Sequence, residues 1–202
     1  MTLKSIVDCH VHCNYSSDSS VTPEYVVESA CSKHMAGVTI TDHMDLDYPN
    51  PDYTFTFDVS GRARHLQTIK DGYNGTIKVL TGIELGIQRQ IVEQSKNIIK
   101  NNNFDCVILS VHAVDNQSLC SQKGFFEDKS QHEVFRRYLE EIYWSVTTFD
   151  DFDIVGHIGY IQRYGNYVCK HMPYSEYSDI LDAILTTVIR KGKAIEVNSS
   201  GY

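Results

Sequence analysis

No stretch of this 202-residue chain approaches the ~20 consecutive apolar residues of a membrane-spanning helix. Positive charge is also in short supply. Lys and Arg number 18 against 26 Asp and Glu, for a net charge of -8. That balance argues against a nucleic-acid or anionic-membrane binder, since both need a basic surface. A small phosphorylated partner stays open, because it needs only a local cationic pocket. The six cysteines (Cys9, Cys13, Cys31, Cys106, Cys120 and Cys169) form no CxxC pair. Scattered thiols in a chain of this length fit a reduced, cytoplasmic protein better than a disulfide framework. The opening MTLKSIVDCH enters a strand pattern at once, with no signal-peptide apolar region. Neither GxGxxG nor GxxxxGKS/T occurs, which removes the main sequence support for a nucleotide-binding open sheet. Internal repeats, linkers and low-complexity tracts are absent too.

What remains is ordinary globular composition, 42% hydrophobic and 22% charged, in a length that suits one domain with a substantial core. Strand and helix patterns alternate along it. Strands are expected at 5–12, 38–43, 77–86, 104–114, 153–160 and 194–200. Helices are expected from 23 to about 34, then near 60–72, 88–102, 132–149 and 175–191. Thr22-Pro23-Glu24 has the form of an N-cap, a first-turn proline and a first-turn acid. Tyr177, Ile180, Leu181, Ile184, Leu185 and Val188 make one apolar stripe on the last helix. The run FDCVILSVHAV reads as a strand buried on both faces. This order implies parallel strands with right-handed crossovers, in an open sheet or a barrel.

The polar residues fall in a pattern. Ligand-type side chains stand at or near the C-terminal ends of the expected strands: His10 and His12, Asp42 and His43, Glu84, His112, His157, then Glu196 and Asn198. In parallel α/β barrels those ends converge on one face, where the active site is built. A single strand-end histidine reads as a polar cap on the core. A whole series of them is costly to bury without partners, whereas a divalent ion satisfies several together. His34, His65, His132 and His171 lie on helices or loops and read as solvated surface. Cys9 and Cys13 flank the histidines but read as small buried side chains, Cys9 having the opposite strand parity. The His-x-His pair puts both imidazoles on one strand face. Imidazoles with carboxylates suit Zn, Mn or Fe better than Ca or Mg. Two or three such ions close together clamp attacking and leaving oxygens, as in phosphoester hydrolysis.

The segments HVHCNYSSDS, TDH, GIELG, SVHAVDN, DIVGHIGYIQRYGN and AIEVNSSGY together resemble the polymerase and histidinol phosphatase (PHP) family, nearest its monofunctional histidinol-phosphatase branch. The likeness is collinear over essentially the whole chain. It implies an α/β fold, a distorted (βα)7 barrel of which about six strands are present here. By the same likeness His10 and His12 bind one ion with Glu84, which bridges to a second held by His112 and His157. Asp18 and His43 hold a third. Arg163 would take the substrate phosphate, although a loop arginine alone reads as solvated. Asp8 is expected to support a metal ligand from behind or to be structural, and Asp42 to orient a ligand imidazole. The loop 44–59 is expected to wall the pocket.

The implied activity is metal-dependent hydrolysis of L-histidinol phosphate to L-histidinol and phosphate, in histidine biosynthesis, on two or three divalent ions. No side chain is assigned as a separate catalytic base. The sequence departs from the family pattern at two points. No final Asp-x-His strand follows, so residues 1–202 are expected to form a C-terminally incomplete PHP domain, open at one seam, with two ions a ligand short. Gly159 stands where this branch would carry an acidic residue. Two alternatives follow, a phosphoesterase for another small phosphomonoester or nucleotide, and a catalytically weak metal-binding domain. An amidohydrolase would want a metal-bridging lysine and eight βα units, and the sequence offers neither.

Overall fold

The computed structural model describes residues 3–121 and 124–198. Its main sheet runs in chain order through β1 (Val7–Val11), β2 (Gly37–Ile40), β4 (Lys78–Gly86), β5 (Cys106–Ser110), β8 (Ile154–Val155) and β9 (Ala194–Ile195). Every pairing along that path is parallel, and β3 (His43–Met44) pairs with β4 beyond the end of β2. Helices α1 (Pro23–Ser32), α2 (Val59–Gly72), α3 (Val92–Asn101), α4 (Gln131–Thr148) and α5 (Tyr174–Arg190) make the crossovers. The sheet is curled. β1 and β9 are not paired with each other among the described residues, yet His10 Nδ1 lies 2.9 Å from Glu196 Oε1. The C-terminal ends of the first and last strands therefore meet across the cavity mouth.

Local chemistry accounts for the helix starts. The Thr22 side chain accepts the amide hydrogen of Tyr25, with Pro23 in the first turn. Ser130 and Glu133 form a reciprocal capping box at α4. Two apolar cores flank the sheet. The larger packs Ile83, Leu85, Val107 and Leu109 of the strands under Phe135, Leu139 and Ile142 of α4 and Ile180 and Ile184 of α5. The smaller packs Ile40 and Val79 against Val27 of α1 and Leu66 of α2.

Four expected strands differ in extent. The run 38–43 is interrupted: pairing with β4 stops at Ile40 opposite Thr81 and resumes, in the same register, at His43 opposite Glu84. The run 104–114 is not one strand. It leaves the sheet after Ser110 and re-enters order as a small antiparallel hairpin of β6 (Ala113–Val114) and β7 (Gln117–Ser118). Asp115 and Asn116 supply its turn with left-handed φ of 52° and 57°, a conformation these residues tolerate. The run 153–160 pairs only at Ile154–Val155, and Tyr160–Arg163 winds into a 3-10 turn. At the last strand only Ala194–Ile195 pairs, and residues 199–200 lie outside the described residues.

Candidate metal centre

A cavity of about 400 Å³ opens at the C-terminal ends of the strands, and Glu84 of β4 is its fully buried floor. Parallel strands deliver their last side chains to one rim, so residues distant in sequence meet. His10 comes from β1 and His12 just after it, His43 from β3, His112 from beyond β5 and His157 from beyond β8. His10 Nε2, His12 Nε2 and His43 Nδ1 stand 3.2, 3.0 and 3.2 Å from Glu84 Oε2. His157 Nε2 and His112 Nε2 stand 2.9 and 3.2 Å from Oε1. Asp18 reaches in from the loop after β1, 2.9 Å from His12 Nδ1 and 3.5 Å from His43 Nε2. All seven expected ligands and Arg163 thus line one cavity.

The donor set fits divalent ions. Glu84 Oε2, His112 Nε2 and His157 Nδ1 are buried with no hydrogen-bond partner, even though imidazole nitrogens crowd round the carboxylate. Such atoms are costly to leave unsatisfied, and an ion satisfies several at once. Among the described residues three groups have ligand atoms within 4.8 Å of one another: His10, Glu84 and His157; His12, Asp18 and His43; and His43, Asp45 and His112, the last two sharing His43.

The electrostatics show how tightly the cluster is coupled. Burial opposes the charged form of His10, but Glu84 and Glu196 outweigh it and raise its pKa to about 10. His112 rises to about 9 against its burial, held up by Asp45 and Glu84. His157 moves the other way, because burial dominates. Glu84 is fully buried, which favours its neutral form, yet the surrounding imidazoles of His43, His10 and His112 hold it well below the ordinary carboxylate range. A divalent ion held on these atoms would compete with protons for them.

Asp45 takes the orienting role expected of Asp42. Its carboxylate accepts from His112 Nδ1 at 2.6 Å and from His43 Nδ1 at 3.1 Å. Strand parity explains the exchange. Residues 43 and 45 share a face, whereas Asp42 points to the opposite one, toward the Cys13 amide, Ser16 and Arg62. Glu196 was visible as a strand-end carboxylate, but its role across the curled edge was not. It receives His10 Nδ1 and the His157 amide. Asp8 is exposed and accepts only the His10 amide. Tyr48, Tyr53 and Phe55 of the 44–59 loop form an aromatic wall. Opposite them, Arg163 is fixed by Asn198 Oδ1 at 2.8 Å and lies over the Tyr160 ring. Among the described residues it is the only guanidinium lining the cavity.

A profile of the PHP domain matches residues 8–200. The chain belongs to the PHP domain family. It is 30% identical over 194 residues to the probable histidinol-phosphatase of Clostridium acetobutylicum, covering 96% of this PHP chain and 73% of that protein. The histidinol-phosphatase of Lactococcus lactis subsp. lactis is 28% identical over 193 residues, covering 96% and 71%. A crystal structure of histidinol phosphate phosphatase from the same organism, in complex with zinc, L-histidinol and phosphate, matches this PHP fold with a TM-score of 0.91. That alignment covers 96% of this chain and 73% of the other. The curled parallel sheet is thus a PHP fold. Among the described residues no helix is long and apolar enough to cross a membrane.

Proposed function

We propose that this PHP domain is a metal-dependent phosphatase converting L-histidinol phosphate to L-histidinol and phosphate, in the histidine biosynthesis of a cytoplasm. One observation carries the reading. The cavity that gathers five imidazoles round Glu84 sits in a fold matching, at a TM-score of 0.91, a phosphatase whose crystal structure holds zinc, L-histidinol and phosphate.

In this reading His10, His12, Asp18, His43, Glu84, His112 and His157 hold two or three divalent ions, with zinc first and manganese or iron as alternatives. When bound, the ions supply Lewis acidity to the phosphoryl oxygens and lower the pKa of water. Glu84 contributes both oxygens, which suits a bridge between neighbouring ions. Asp45 and Glu196 hold the Nδ1 atoms of His112 and His10, leaving each Nε2 directed at Glu84. Arg163 offers a planar fork to the phosphate oxygens, pre-set by Asn198 and Tyr160. The aromatic wall presents largely apolar surface to the leaving alcohol. The cavity, at about 400 Å³, is within the range of small-molecule sites.

The test is turnover of the zinc-loaded protein on a panel of phosphomonoesters. L-Histidinol phosphate should exceed a nucleoside monophosphate and p-nitrophenyl phosphate in kcat/KM by roughly 100-fold. Preference for the nucleotide, or equal turnover of all three, overturns the substrate assignment.

A further inference from the structure

Arg62 of α2 lies outside the cavity, and nothing in the chemistry above uses it. It is nevertheless only 1% exposed, a full positive charge inside the fold. Buried ion pairs are weak sources of stability compared with apolar packing of the same volume. A role in geometry accounts for its contacts better.

Its guanidinium makes three hydrogen bonds. Nε donates to Asp42 Oδ2 at 2.6 Å, Nη1 to the Gly82 carbonyl at 3.1 Å, and Nη2 to the Ile40 carbonyl at 2.8 Å. Ile40 and Gly82 flank the place where β2 stops pairing with β4, just before pairing resumes at His43 opposite Glu84. Arg62 therefore ties the end of β2 to β4 just before the His43–Glu84 pair that faces the cavity. Asp42, held by this fork, reaches the turn after β1. Its Oδ1 accepts the Cys13 amide at 2.7 Å and the Ser16 hydroxyl at 3.3 Å. The Ser16 oxygen in turn accepts the His43 amide at 2.8 Å. That turn carries Asp18 two residues later.

We propose that Arg62, Asp42 and Ser16 form a positioning network that sets the Asp18–His43 arm of the metal centre. None of the three lines the cavity. They act through the backbone of His43 and the turn that presents Asp18. The inference rests on the ligand assignment above, so its test reads metal binding rather than turnover alone.

Chelator-stripped parent, S16A, R62K, D18N and S16A/D18N proteins are titrated with Zn²⁺ against a competing chromophoric chelator. Ser16→Ala removes one hydroxyl and leaves the buried ion pair whole, so it keeps the variant folded. Arg62→Lys keeps the charge and loses the fork. Both should weaken one class of zinc site by about 10- to 100-fold, the range for residues that orient ligands, and leave the other class at parent affinity. The class lost should be the one lost in D18N, with the double variant no weaker than D18N. Excess zinc should restore S16A turnover with its KM unchanged. Should R62K fail to fold, S16A alone decides. An S16A protein indistinguishable from a zinc-binding parent overturns this inference and spares the ligand assignment. A parent that takes up no zinc overturns both.

Discussion

Replacing Asp45 by asparagine keeps the volume of a buried side chain and removes one capacity. The carboxylate accepts from two imidazoles, His112 Nδ1 at 2.6 Å and His43 Nδ1 at 3.1 Å. An amide offers one acceptor and turns an N–H2 toward the other ring, so one imidazole must change tautomer or rotate. No cavity is created, and little stability is lost to packing. The loss falls on metal affinity, where a ligand-orienting partner is worth about 10- to 100-fold, or about 1.4 to 2.8 kcal/mol. Gly86 provides an independent route to the same perturbation. A Cβ there would run into the Asp45 carboxylate, so Gly86→Ala must push Asp45 aside without changing its chemistry. The assay is zinc competition on stripped protein, with phosphate release followed against free zinc. Both variants should need about 10- to 100-fold more zinc to reach half-maximal activity. Variants that bind and respond to zinc as the parent does would refute the orienting role of Asp45.

Glu84→Gln removes the charge shared by the surrounding imidazoles, so bound zinc by elemental analysis and phosphatase activity should be lost together. Arg163→Met should lower kcat/KM by about 10²- to 10³-fold while zinc content stays at the parent value. In metal-free protein, His10 and His112 carry pKa values raised to about 10 and about 9. Raised values stabilise the fold fully below the unfolded histidine pKa of ~6.5 and lose that contribution as pH climbs through 9 to 10. The melting temperature of chelator-treated protein should therefore fall across this window, and zinc-loaded protein, whose ligands are deprotonated, should not follow it. Phe135→Ala in the larger core should cost about 3–5 kcal/mol in urea unfolding without shifting zinc stoichiometry.

Much of the candidate site was legible because parallel strands end on one rim. Once His10, His12, His43, Glu84, His112 and His157 were seen at strand ends, their convergence followed from topology alone. Helix α5 was likewise visible in its apolar stripe, and α1 in the Thr22-Pro23 cap. What stayed hidden depends on contacts that period and composition do not encode. Asp42 and Asp45 are both aspartates close to His43 in sequence, and only the path of the chain leaving β2 decides which one faces the imidazoles. Parity from His43 to Asp45 was the available signal. The hairpin after β5 was masked by Ala113 and Val114, which are as apolar as the strand before them. Arg62 carries no signal of its own, since nothing in the sequence around it announces that Asp42 lies beneath it. Glu196 was noticed, but its bond to His10 exists only because the sheet curls.

In the proposed function, divalent ions held on Glu84 and its imidazoles make this PHP domain a histidinol phosphate phosphatase. The direct measurement is phosphate release from L-histidinol phosphate by chelator-stripped protein titrated with Zn²⁺, with bound zinc determined at each step. Release should be absent without metal and rise with zinc bound, saturating when the sites fill. Full release by metal-free protein, or filled sites with no release, would contradict it.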